Sequence, residues 1–198
     1  QHTQQPIPRR AERDCAPLSF AQQRLWFLEA LGTTGTTYHL ATLLQLTGAL
    51  QVATLAASLQ TVIERHEILR TTYTVVDEAP MQQIGAAPPV LLSPLDLTAL
   101  EPTDQQAEIQ RRLNAMQQAP FALATGPLWR FQLFHCGAEQ WLLAIVLHHL
   151  ITDEWSTSVL IRELSACYTA LVNDQPVALP PLAIQYADYA IWQQQQLA

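Results

Sequence analysis

In the stretch Trp141-Leu-Leu-Ala-Ile-Val-Leu-His148-His149-Leu-Ile-Thr-Asp153-Glu154-Trp155-Ser156, an almost unbroken apolar run gives way to two histidines, a short polar turn and an amphipathic helix. Such a run, with Gly137 behind it, suits a strand buried on both faces. Successive strand side chains point to opposite faces, so His148 and His149 face apart and make poor partners on one metal. Asp153 lies far enough on for a turn to return its carboxylate toward the strand end, to hold an imidazole or pair with an arginine. Three readings meet here: core-edge histidines with a helix-capping Asp, a zinc site, and general acid/base chemistry. Zinc takes three or four ligands, and no second ligand cluster with suitable spacing is present, so no metal is expected. Histidine suits proton transfer because it titrates near working pH.

The chain of 198 residues can bury one sizeable core or form part of a larger fold. It is 49% hydrophobic and only 14% charged, against roughly 25% charged in an average domain, which predicts that part of the surface is hidden against something else. A net charge of -7 with no basic patch argues against nucleic acid or an anionic membrane as partner. Cys15, Cys136 and Cys167 are odd in number and lack CxxC spacing, as expected of reduced thiols. The N-terminus Gln1 to Arg13 has no apolar core of a signal peptide, and no run approaches a membrane span. A soluble, cytoplasmic protein is expected.

Residues 1–16 carry Pro6, Pro8 and the basic Arg9, Arg10 and Arg13 with little to bury, and read as an upstream linker. Ser19 followed by Gln22 is a capping-box pattern that opens a helix ending near Gly32, before a small polar loop to Thr37. A strand is predicted over His39–Leu46, then a helix from Val52 with Leu55, Leu59, Val62 and Ile63 inward. It delivers the knot Arg65-His66-Glu67-Ile-Leu-Arg70, where Arg65 and Arg70 are each expected in a structural or active-site ion pair with an acidic partner, before strands at Thr71–Val76 and Met81–Ile84. Thr103 is predicted to cap the next helix. Leu128–His135 and Trp141–Leu147 form a hairpin, a helix runs to near Asn173, and the Pro-rich segment from 176 leads to a last helix, Tyr186–Leu197.

Three ordered stretches resemble the condensation domains of non-ribosomal peptide synthetases. Ser19-Phe-Ala-Gln-Gln-Arg-Leu-Trp-Phe-Leu28 is similar to the family's first core motif, Arg65-His-Glu-Ile-Leu-Arg-Thr-Thr-Tyr73 to its second, and His148-His-Leu-Ile-Thr-Asp153 to its HHxxxD motif. Tyr186-Ala-Asp-Tyr-Ala-Ile-Trp-Gln193 resembles a later stretch. The resemblance implies an α/β, chloramphenicol acetyltransferase-like fold: a mixed β-sheet flanked by helices, in one half of a two-lobed domain. On that reading, residues 17–175 are the N-terminal lobe, and 176–198 are a crossover linker and helix toward a C-terminal lobe.

The resemblance also implies an amide-forming acyltransferase of secondary metabolism, antibiotic or siderophore biosynthesis included, inactive as an isolated lobe. The amine of an acceptor aminoacyl thioester attacks a donor acyl or peptidyl thioester, both on 4'-phosphopantetheine arms of carrier domains, with no cofactor held by the domain itself. His149 would be the catalytic residue and His148 a packing residue. Asp153 would bond a basic partner, Arg70 foremost, with Arg65 also structural at the site. Glu154, Trp155, Ser156, Ser19 and Arg24 are candidates for the substrate tunnel. Glu154 stands where the family usually has Gly, which leaves open an alternative function as a catalytically impaired platform that recruits a trans-acting tailoring enzyme. Heterocyclising relatives, which carry Asp in place of His148 and His149, are excluded; epimerising ones are not.

Overall fold

The computed structural model describes residues 6–32 and 35–197. Residues 1–5 of the expected linker, 33–34 of the expected loop and the terminal Ala198 lie outside the described residues. The chain folds into two sheets with helices on both sides. The first is antiparallel in the order β1 (Cys15–Pro17), β4 (Ala79–Ile84), β3 (Thr71–Val76). The second runs β2 (His39–Thr47), β7 (Gln140–His148), β6 (Trp129–Gly137), β5 (Leu95–Asp96), antiparallel except for the parallel β5–β6 pair. The expected mixed sheet is therefore present, and a second sheet accompanies it.

β7 is the innermost strand, paired on both edges, and Leu143 to His148 are each at most 2% exposed. Its odd-numbered face, Leu143, Ile145 and Leu147, packs into the main core with Leu55, Leu59, Val62 and Ile63 of α2 (Val52–Arg65) and Leu160, Leu164 and Cys167 of α4 (Glu154–Val172). Its other face puts Ala144 against Phe134 and Ile109 of α3 (Pro102–Gln118). With both faces covered, strict polar alternation is lost and the sequence reads as a continuous apolar run. Each such fully buried Leu or Ile contributes roughly 1.5–3 kcal/mol.

Local signals place the helix starts. Ser19 caps α1 (Phe20–Ala30) by accepting from the Gln22 amide at 3.2 Å, while the Gln22 side chain accepts from the Ser19 N–H at 3.0 Å, the predicted reciprocal box. The α3 start differs from expectation. Glu101 is its N-cap and Pro102 its first residue, with Thr103 already inside; proline has no N–H to satisfy and a helical φ, so it takes the first position. Among the described residues no helix is long and apolar enough to cross a membrane.

The N-terminal segment, expected as an upstream linker with little to bury, is tied to the fold over its described residues. The Arg10 side chain, 6% exposed, bonds Glu67 at 2.5 Å and Asp188 at 2.7 Å, and Cys15–Pro17 is already strand. Asp188 belongs to α5 (Tyr186–Leu197), whose Ala187 packs with Ala16 and Ile84. Burial pushes the Asp188 carboxyl up, but bonds from the Gln185 N–H and from Arg10 outweigh it, and the carboxyl sits below its ordinary value. The first and last described segments thus close on the 3-10 helix Glu67–Arg70 between them.

Candidate active site

β7 ends at His148, and α4 begins at Glu154, so His149 to Asp153 form the reversal between buried strand and helix. The His149 N–H donates to the Tyr38 carbonyl at 2.8 Å. Its ring Nδ1 lies 2.6 Å from the Thr152 carbonyl oxygen. A carbonyl only accepts, so Nδ1 carries the proton and, in the neutral ring, Nε2 carries the lone pair. Among the described residues no hydrogen bond ends on Nε2. The residue is half-buried, neither sealed in the core nor free in solvent.

His148 is the opposite case, 1% exposed and ringed by His39 and Phe121 at centroid distances of 5.5 and 5.9 Å. Its Nδ1 accepts from the Leu150 N–H at 3.1 Å, so its proton sits on Nε2, which faces Glu29 Oε1 at 3.4 Å. Burial pushes its pKa down to about 4, beyond the opposing effect of the Glu29 carboxylate. It is a neutral packing residue with a hydrogen-bond duty to the turn.

The expected Asp153–Arg70 pair does not form. Asp153 Oδ1 accepts from the Ser156 N–H at 2.7 Å as the α4 N-cap, and this bonding holds its carboxyl below the usual value. Arg70 donates to the Gly85 carbonyl and lies 3.9 Å from Glu67. A capping carboxylate at the start of α4 meets unsatisfied backbone N–H groups nearer than any arginine. Arg65 is likewise drawn elsewhere, its Nε 3.0 Å from Glu163 of α4, which also lies 2.7 Å from His66 Nε2. That buried carboxylate braces α2 against α4.

The turn is held instead by residues not singled out for it in the sequence. The Leu150 carbonyl accepts from the Tyr73 hydroxyl at 2.9 Å and from Gln22 Nε2 at 3.2 Å. Gln22 lies in the first motif, Tyr73 in the second and Leu150 in the third, so the three stretches meet at one carbonyl. The legible signal was Gln22 in the capping box; nothing in the local pattern marks its second amide end. Burial pushes the Tyr73 hydroxyl well above its usual pKa, keeping it a neutral donor.

Beside the turn lies a cleft of about 340 Å³ whose walls include Ile68, Ile151, Trp155, Ser156, Tyr186 and Tyr189. Of the tunnel candidates, Trp155 and Ser156 line it, with Trp155 79% exposed. Glu154 is exposed in the first turn of α4. Ser19 is fully buried, bonded 2.9 Å from the Tyr186 hydroxyl, and Arg24 is exposed on α1. The arrangement therefore offers one half-buried imidazole with a fixed tautomer, in a turn whose Ile151 and Thr152 line a mostly apolar cleft that His149 itself does not line. That is equipment for orienting a nucleophile and accepting its proton.

A family profile described as "Condensation domain" matches residues 12–198. The chondramide synthase cmdD of Chondromyces crocatus is 37% identical over 191 residues, covering 96% of this chain and 5% of that protein. The X-domain in its complex with OxyB from teicoplanin biosynthesis superposes with a TM-score of 0.85 at 33% identity, over 98% of this chain and 41% of that one. A variant starter condensation domain of the rhizomide synthetase RzmA, in complex with C8-CoA and Leu-SNAC, superposes with a TM-score of 0.84 at 26% identity, over 93% and 42%. The chain spans less than half of each of these solved chains and a small part of the synthase. A profile match across nearly its whole length, on a fold shared with these structures, shows that the chain belongs to the condensation-domain family of non-ribosomal peptide synthetases.

Proposed function

We propose that this chain is the N-terminal lobe of a condensation domain, and that the complete domain joins two thioester-bound substrates through an amide. The single observation that carries the reading is the ring of the half-buried His149, tied at Nδ1 to the Thr152 carbonyl so that Nε2 is its basic nitrogen. The α-amine of the acceptor aminoacyl thioester attacks the carbonyl carbon of the donor thioester; a C–N bond forms and the C–S bond breaks. Nε2 orients the amine and takes its proton, which passes to the departing thiolate of the donor's phosphopantetheine arm. Glu154, Trp155 and Ser156 lie where an arriving arm meets the lobe. The partners are donor and acceptor carrier domains and the C-terminal lobe.

A second reading is supported by the likeness to the X-domain, whose solved complex with OxyB is with another protein, and by Glu154 in place of the family's usual glycine. It makes the domain a platform for a tailoring enzyme. One experiment separates the two: the complete protein is incubated with loaded donor and acceptor carriers and the acceptor is analysed by mass. Condensation is expected to appear as the dipeptidyl or acylated acceptor. No product from the wild type, with measurable binding of a trans-acting enzyme, would replace the first reading by the second.

A further inference from the structure

Gln22 does more than cap its own helix. Its amide has one acceptor oxygen and two N–H groups. The oxygen takes the Ser19 N–H at 3.0 Å, which fixes which end is nitrogen. The nitrogen faces the Tyr73 hydroxyl at 2.9 Å, the Leu150 carbonyl at 3.2 Å and Gln82 Oε1 at 3.4 Å. Tyr73 hands its own proton to the same carbonyl at 2.9 Å, and Gln82, fully buried, donates onward to Pro17 at 2.8 Å. One side chain thereby links α1, sheet one and the end of β7.

The Leu150 peptide is the point where this network grips the turn. Its N–H is held by His148 and its carbonyl by Gln22 and Tyr73, so both polar groups of the residue after His149 are fixed. Two residues further on, the Thr152 carbonyl fixes the His149 ring at 2.6 Å. If the Leu150 carbonyl swings free, the Thr152 carbonyl moves with it and the ring loses the contact that keeps the proton on Nδ1.

We propose that Gln22 is a positioning residue for the reaction, acting through Tyr73 and the Leu150 carbonyl to keep His149 in one orientation and one tautomer. The proposal rests on the reading of His149 given above. It is distinct from a packing role, because Gln22→Met preserves length and apolar bulk, keeps the backbone N–H that Ser19 caps, and removes only the side-chain donors and the acceptor for the Ser19 N–H.

The test uses the complete protein with loaded carriers, and its histidines labelled with 15N. Gln22→Met is expected to lower kcat about ten-fold or more, since small displacements of a catalytic group cost heavily, while KM for the loaded carriers stays within about two-fold. Tyr73→Phe is expected to lower kcat only about three-fold, because Gln22 still reaches the carbonyl. The ring 15N signals of His149 should report a single Nδ1–H tautomer in the wild type and a mixture in Gln22→Met. If Gln22→Met does not fold, Gln22→Glu, which keeps the acceptor for Ser19, is read in the same way. A folded variant with wild-type kcat and an unchanged tautomer overturns the proposal. His149→Ala is run in parallel: full turnover there overturns the catalytic role of His149, and the tautomer signal then decides only whether Gln22 sets the ring's orientation.

Discussion

At the scale of single residues, the two adjacent histidines carry opposite physics. His148 has a pKa of about 4 in the folded chain against an ordinary 6.5, burial being the main cause. The unfolded chain therefore binds the proton more readily between these values. The stability contributed by the neutral ring is complete above 6.5 and is lost as pH falls toward 4, amounting to about 3 kcal/mol. Urea unfolding midpoints measured between pH 7 and 4 should fall more steeply for the wild type than for His148→Asn, whose Oδ1 can still accept from Leu150; parallel curves would show that His148 is not a buried neutral group. Glu154 makes a second case. The residue is helical and has no positive φ, so its backbone does not require the glycine usual there. Its carboxylate sits favourably at a helix N-terminus. Turnover of Glu154→Gly should equal or exceed that of the wild type, with up to about 1 kcal/mol less stability; complete loss of turnover would mean that the carboxylate takes part in the reaction.

At the scale of elements, Asp153 tells a helix cap from an ion pair. Asparagine caps nearly as well as aspartate, whereas alanine does not. Thermal unfolding should therefore find Asp153→Asn within about 0.5 kcal/mol of the wild type and Asp153→Ala about 1 kcal/mol less stable. A buried arginine clasp would instead make the Asn variant costly, by about 3 kcal/mol or more. The sequence showed what neighbours within a turn or a hairpin determine. Ser19 and Gln22 are three residues apart and their box is as predicted, and the β6–β7 hairpin follows from two apolar runs around a short connection. The strand bounds at Thr71–Val76 were legible for the same reason. The Arg70 assignment failed because several carboxylates and carbonyls compete for each guanidinium, and only packing decides among them. Glu163, which no local pattern of α4 singles out, is buried and occupied by Arg65 and His66.

At the scale of the whole molecule, the missed contacts are those that join distant segments. Arg10 meets Asp188 across 178 positions, and Gln22 meets Leu150 across 128; no local periodicity records such pairs. Arg10→Met leaves Asp188 a buried carboxylate without its cation and Glu67 with Arg70 at 3.9 Å, and should lower the unfolding free energy by about 3–5 kcal/mol; a change below about 1 kcal/mol would show that the segment does not close the fold. The two sheets, joined through the Gln22 network, set one imidazole at the end of the deepest strand and leave its Nε2 unbonded among the described residues. The most direct measurement is product formation between loaded carriers by the complete protein carrying His149→Ala, read by mass. The folded variant is predicted to make no amide product above the uncatalysed background, and turnover equal to the wild type would contradict the assignment of His149.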